Sequence, residues 1–349
     1  MQSVDGAFIN LCTYGKIQEI LRETPSFDFK KEMWKSTVTR ELKLLEEKDD
    51  FKKFEISRIG DTLVGFWFEI KLKSNPTSFI KNFAHNLFKC INITTQESVS
   101  TLDQILNLSN ITFDFTTNFG MSQNKYKSYI KLINFEENDS EKTLILPIIF
   151  PNEIPVVSLP FNRLIIECLL NYDVEMRCFG NYKIYSGSNR REMARLSHNI
   201  ILNNYKTIIN FISDSELIIP IKENVVVKSW LFGIKENDKF SSYKRDSIKN
   251  LKIICDNSVL FEANKHQLEI CPFFDNIEVG DEPIYYYSPH LPVDIGQLRD
   301  LKVCVNFESD CIGNCEFVIV LETYSILEIK NGLYKVINNS GISQVIFNI

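Results

Sequence analysis

Histidine is scarce: His85, His198, His266 and His290 are the only four in 349 residues. None falls in a His-x-x-x-His or His-Glu-x-x-His spacing, so a helical zinc site of the metalloprotease kind is excluded. Thirteen glycines are scattered and form no phosphate-cradling loop, and there is no Gly-x-Ser-x-Gly elbow. No apolar run reaches about 18 residues, which leaves nothing to span a membrane. The N-terminus lacks the basic start and long apolar core of a signal peptide. Long charge runs are missing too. A net charge of −6 speaks against a nucleic-acid-binding surface as the main business of the chain. The nine cysteines are an odd number without clustered metal spacing. Only Cys311 and Cys315 lie close, with no second pair nearby, so free thiols in a reducing compartment are expected.

What the chain has is aromatic and β-branched residues in short runs. Phenylalanine reaches 26 and aromatics 12%, a composition that suits sheets. Val64, Phe66, Phe68, Ile70 and Leu72 alternate with Gly65, Trp67, Glu69 and Lys71, which predicts a strand with one buried face. The stretch from Leu144 to Asn171 holds two apolar runs joined at Pro151 to Pro155, and its prolines forbid a long helix. In its second run Leu164, Ile166, Cys168 and Leu170 share a face. Further strands are expected at Phe88–Thr94, Ile111–Phe115, Tyr126–Phe135, Tyr182–Tyr185, Leu217–Ile221, Val225–Ile234, Leu251–Cys255, Val259–Glu262, Ile284–Tyr287, Leu301–Phe307 and Phe317–Ile329. Two helices are expected. One is short, with Phe79, Phe83 and Leu87 on one face. The other opens at Asn189, with Glu192 at capping-box spacing and Met193, Leu196 and Ile200 as its stripe. Many short strands with few helices point to β-sandwiches. Two of them fit the length, giving an N-terminal arm over 1–28, a first sandwich over 29–175 and a second over 176–349.

No constellation of nucleophile, acid and base stands out, so no catalytic residue, cofactor site or metal site is assigned. Asp294, Asp300, Glu308 and Asp310 could hold a cation only if their loops converged. Arg190, Arg191 and Arg195 make a basic spot read as surface charge or an ion pair. Tyr285–Tyr287 and Phe273–Phe274 could line a ligand pocket, but packing in a core or interface is the simpler role for aromatics.

Several segments, in order, resemble the major capsid proteins of nucleocytoplasmic large DNA viruses. Leu11-Cys12-Thr13-Tyr14-Gly15 is similar to the start of that family. Ile56-Ser57-Arg58-Ile59-Gly60-Asp61-Thr62-Leu63 resembles its Ile-x-Arg-x-Gly-Asp-Leu-Ile turn, and Phe79 to Cys90 its helix with Gly-His, here Ala84-His85. Leu146-Pro147-Ile148-Ile149-Phe150 and Val157 to Ile166 resemble its mid-chain strands, with Asn152-Glu153-Ile154-Pro155 in place of an Asn-Pro-Gly bend. Arg190 to His198 is similar to its Arg-Arg helix, and Tyr324 to Gly332 to its closing strand.

The resemblance implies a short, divergent member of an all-β family: two tandem eight-stranded jelly-roll sandwiches with a few short helices. It implies a structural virion protein, with no enzyme activity and no cofactor, made in the host cytoplasm and located in the capsid. Its partners would be itself, as a homotrimer forming a pseudo-hexagonal capsomer, then neighbouring capsomers and minor capsid proteins, with no direct nucleic-acid contact. Apolar or aromatic residues near segment ends nominate Phe8, Ile9, Leu11, Tyr14, Trp34 and Trp230 as interface residues. The alternatives are a minor paralogue or assembly scaffold, a jelly-roll module for glycans or a receptor, and an enzyme on a cupin-like barrel.

Overall fold

The computed structural model describes residues 36–72, 82–95, 104–119, 121–135, 143–236, 243–244, 247–256, 258–275, 277–289 and 292–337. The strands of the first half are β1 (Ser36–Glu41), β2 (Lys43–Lys48), β3 (Phe51–Glu55), β4 (Thr62–Leu72), β5 (Phe88–Thr95), β6 (Leu106–Ser109), β7 (Leu144–Ile154), β8 (Leu164–Leu170) and β9 (Val174–Ile184). They form one sheet in the order β1-β9-β4-β7 and a second in the order β2-β3-β8-β5-β6. The second half contributes β10 (His198–Phe211), β11 (Glu216–Pro220), β12 (Val226–Glu236), β13 (Ile248–Cys255), β14 (Ser258–Asn264), β15 (Tyr285–Tyr287), β16 (Val293–Asp294), β17 (Lys302–Phe307), β18 (Cys315–Lys330) and β19 (Leu333–Ile337). Their sheets run β10-β18-β12-β15 and β11-β17-β13-β14.

Setting aside the short additions β2, β16 and β19, each half has eight strand positions among the described residues. In both, one sheet pairs positions 1-8-3-6 and the other 2-7-4-5. That is the jelly-roll permutation, present twice. All ladders are antiparallel within these sheets. The alternation read in β4 holds from Phe66 to Lys71, with Phe66, Phe68 and Ile70 buried, Trp67 and Glu69 at intermediate exposure and Lys71 exposed. It breaks at the start, where a register shift between Leu63 and Gly65 leaves Val64 half-buried and Gly65 buried.

Among the described residues five α-helices fill connections: α1 (Phe83–Asn86), α2 (Asn110–Thr117), α3 (Gln123–Ile133), α4 (Gly187–Arg195) and α5 (Lys265–Phe274). Two of them correct the expected strands at Ile111–Phe115 and Tyr126–Phe135. In α2 the side chains of Ser109 and Thr112 form a reciprocal capping box that starts a helix. The helix is buried around most of its surface, so Ile111, Phe113 and Phe115 alternate without being a strand. In α3 the buried Tyr126, Tyr129 and Ile133 follow helical spacing. The helix expected to open at Asn189 is α4, but Ser186 is its N-cap and Ile200 belongs to β10.

The domain boundary also moves. Val174–Ile184 pairs with both β1 and β4, so it is the eighth strand of the first roll, and the division expected at 175/176 falls inside it. Hydrogen bonding puts the division after Ile184. The cores do not stop there. Ile200, Leu202, Leu327, Ile329 and Val336, from the second half, pack in the core of the first roll.

Candidate assembly surfaces

The turn before β4 shows how local sequence positions the first roll. A Cβ at Gly60 would lie 2.3 Å from Cβ of the buried Tyr182, so only glycine fits. Arg58 donates to the carbonyls of Pro160 (2.6 Å) and Asn162 (2.7 Å). Asp61, which is buried, accepts from the Tyr185 amide (2.8 Å) and pairs with Arg190 at 3.0 Å. The basic spot on α4 thus holds one arginine of an intrachain ion pair. At the bend, Asn152 donates to the Ile201 carbonyl at 2.7 Å, tying β7 to β10. Glu153 accepts from Thr62 (2.9 Å) and is paired with Lys183.

The seam between the rolls carries the densest chemistry. His85 is fully buried. Its Nδ1–H donates to Asp114 at 2.7 Å, and its Nε2 meets the Tyr129 hydroxyl at 2.6 Å. Asp114 also accepts from Asn82 (3.2 Å) and from the Tyr243 hydroxyl (3.2 Å). Asn82 reaches Glu282 at 3.4 Å, and Asn118 bonds both the amide (3.0 Å) and the carbonyl (3.1 Å) of Glu282. Burial first, then the Asp114 carboxylate, pushes the Tyr129 and Tyr243 phenols well above the ordinary tyrosine range, so both remain donors. The network joins α1, α2 and α3 of the first roll to Tyr243 and Glu282 of the second. Beside it an apolar cluster packs Ile111 and Phe115 of α2 against Leu231, Tyr286, Val318 and Val320 on the outer face of the second roll's 1-8-3-6 sheet. At Gly233 a Cβ would sit 2.9 Å from the Phe115 ring, which is why the helix can lie so close.

A partly apolar groove of about 690 Å³ runs along the same seam between α3, β7 and β10, lined by Met121, Leu132, Ile149, Phe150 and Tyr205 among others. Other apolar side chains are bare. Phe273 and Phe274 at the end of α5 are 73% and 82% exposed. The edge strand β1 has five of its six residues exposed.

The nominated residues fare differently. Phe8, Ile9, Leu11, Tyr14 and Trp34 lie outside the described residues. Trp230 is a correction: it is buried in the second core, stacked with Phe232, because it faces inward on the central strand β12. Tyr285 and Tyr286 are buried, and Tyr287 stacks on Phe261 at 3.8 Å, so this triplet is packing. The acidic quartet does not converge. Asp294 caps the turn at Gly296, while Asp300 pairs with Lys302, Glu308 with Lys249 and Asp310 with Lys244. Among the described residues no group of three or more His, Cys, Asp or Glu is placed to hold a metal. Burial pushes the thiols of Cys168 and Cys178 well above the usual range and Cys311 up to about 11, which leaves them poor nucleophiles. No helix among the described residues is long and apolar enough to cross a membrane. The polar seam escaped sequence reading because its members lie up to 200 residues apart.

Residues 34–194 match the family model for the N-terminus of major capsid proteins. Among solved structures, the capsid of the virus PBCV-1 superposes with a TM-score of 0.76 at 13% identity, over 86% of this chain and 96% of that one. The Faustovirus major capsid protein gives 0.66 at 7% identity over 91% and 94%. The Sputnik virophage structure gives 0.60 at 8% identity over 96% and 94%. No curated protein sequence matches the chain. At such identities these structures establish a shared double jelly-roll fold.

Proposed function

We propose, from the premise that residues 34–194 carry the N-terminal region of a major capsid protein, that the chain is a capsid protein of a large DNA virus. It assembles as a trimer whose six jelly rolls form a near-hexagonal capsomer. The observation that supports this most is the repetition of one strand order, 1-8-3-6 over 2-7-4-5, in two rolls joined by a buried seam. Two similar rolls per chain and a threefold axis make six similar wedges, which tile a surface with near-sixfold contacts although only three chains are present. Interfaces do the work, so the role is structural, with no catalytic step assigned.

Sedimentation velocity and negative-stain microscopy of the purified chain test this. The expected result is a species of three times the monomer mass with hexagonal outlines. A monomer persisting at high protein concentration would overturn it. Copy number per virion, by mass measurement, then separates a main shell protein from a minor paralogue or scaffold.

A further inference from the structure

We infer that α5 of one copy packs on the outer face of the first roll's β1-β9-β4-β7 sheet in a second copy, as the counterpart across chains of what α2 does within the chain. The inference rests on the trimer proposed above and specifies its contact.

The two helices occupy equivalent places. Each follows the fifth strand of its roll directly, α2 after β6 and α5 after β14. Each starts with a reciprocal capping box, Ser109 with Thr112 and Asn264 with Gln267. Counting ten residues on from each N-cap reaches Phe119 and Phe274, and six residues reach Phe115 and Ile270. In the first roll these positions are spent on the neighbour. Phe115 is fully buried against the second roll, and Phe119 lies 5.4 Å from the Tyr286 ring. In the second roll the same positions are bare, with Ile270 47% and Phe274 82% exposed.

The receiving faces are equivalent as well. In the second roll α2 covers paired residues of the third and eighth strands, Leu231 opposite Val320 and Gly233 opposite Val318. In the first roll the outward pairs on the third and eighth strands include Trp67 opposite Phe179, stacked at 4.2 Å and only half-buried, with Glu69 opposite Arg177 beside it. Arg177 lies 5.1 Å over the Phe179 ring, held there by its bidentate pair with Glu41. The contact continues the seam already made between rolls. The edges agree with this: β10 buries Ile200 and Leu202 against the first roll, whereas β1, in the same position of the other roll, is almost wholly exposed. Aromatic anchors in a desolvated patch commonly carry most of an interface's energy. Because helix and receiving face are different surfaces, the contact is heterologous and closes into a ring when the rotation is threefold.

A photo-crosslinking phenylalanine at position 274 of the full chain tests this, with the conjugates mapped by mass spectrometry and with Ile270→Ser plus Phe274→Ser as a second arm. Conjugates between chains to peptides holding Trp67 or Phe179 are expected, together with at least a tenfold weakening of assembly in the double variant while the fold, read by circular dichroism, is unchanged. A wild-type trimer whose conjugates go elsewhere, to the second roll of another copy or to residues 1–35 of the same chain, overturns this contact and leaves the proposed function standing. So does a trimer the double variant leaves intact. A wild-type chain that does not self-associate overturns both.

Discussion

Asp114 is where one atom group decides most. It is the acceptor for His85 and Asn82 of α1 and its N-cap and for Tyr243 of the second roll, three donors from two segments, in a site almost closed to solvent. Removing a shared acceptor strands every donor, whereas removing one donor loses one bond. Asp114→Ala is therefore expected to cost about 3 kcal/mol or more of unfolding free energy, and Tyr243→Phe about 1 kcal/mol, both read by urea titration. Equal losses would mean that the carboxylate is not the hub. His198 sets a pH dependence. It is buried, with Nε2 2.7 Å from the Met193 carbonyl. Desolvation pulls its pKa below the ordinary 6.5, and the bond to Met193 offsets part of that. The unfolded chain thus binds the proton more readily. The stability His198 contributes is intact above pH 6.5 and is lost as pH falls through that value toward the lower folded pKa. His198→Gln should show a smaller drop in melting temperature between about pH 7.5 and about pH 5.5 than the parent protein. An identical drop would remove His198 from the account.

At the scale of elements, α2 illustrates two kinds of cost. Its start depends on the Ser109 cap, and Ser109→Ala should lower stability by about 1 kcal/mol. Its packing depends on Phe115, which is fully buried between rolls, and Phe115→Ala should cost about 3–5 kcal/mol through the cavity it leaves. Denaturant titration of the two variants ranks cap against packing, and a larger loss from the cap would contradict this account of α2. Strands were legible where one face meets a core and the other meets water, as in β4 and β17, because the alternation records that difference. It misled at α2, where Ile111, Phe113 and Phe115 alternate but the helix is enclosed on nearly all sides. It also passed over α5, whose Phe273 and Phe274 are exposed and so leave no amphipathic stripe to read.

Over the whole molecule, the rolls share structure. The long β10 and β18 pair along their full length, yet bury residues in both cores: Phe317, Ile319 and Leu321 in the second, Leu327 and Ile329 in the first. With the polar seam and the α2 cluster added, neither roll can open without exposing part of the other. Scanning calorimetry should therefore give one cooperative transition. Two resolved transitions would show that the rolls fold independently. The same coupling suits the capsomer proposed above, in which a ring of six wedges closes only if the angle inside each chain is held.

The alternation in β4, the two-sandwich, strand-rich character of the chain and the turn at Gly60 were decided by the sequence alone. Alternation, proline placement and glycine are local signals, and local chemistry is enough to dictate them. The end of the first roll at Ile184, the inward turn of Trp230 and the His85–Asp114–Glu282 seam were decided only by the tertiary structure. Each depends on which distant strand or helix lies alongside, and the residues involved carry no mark of that in their immediate neighbours.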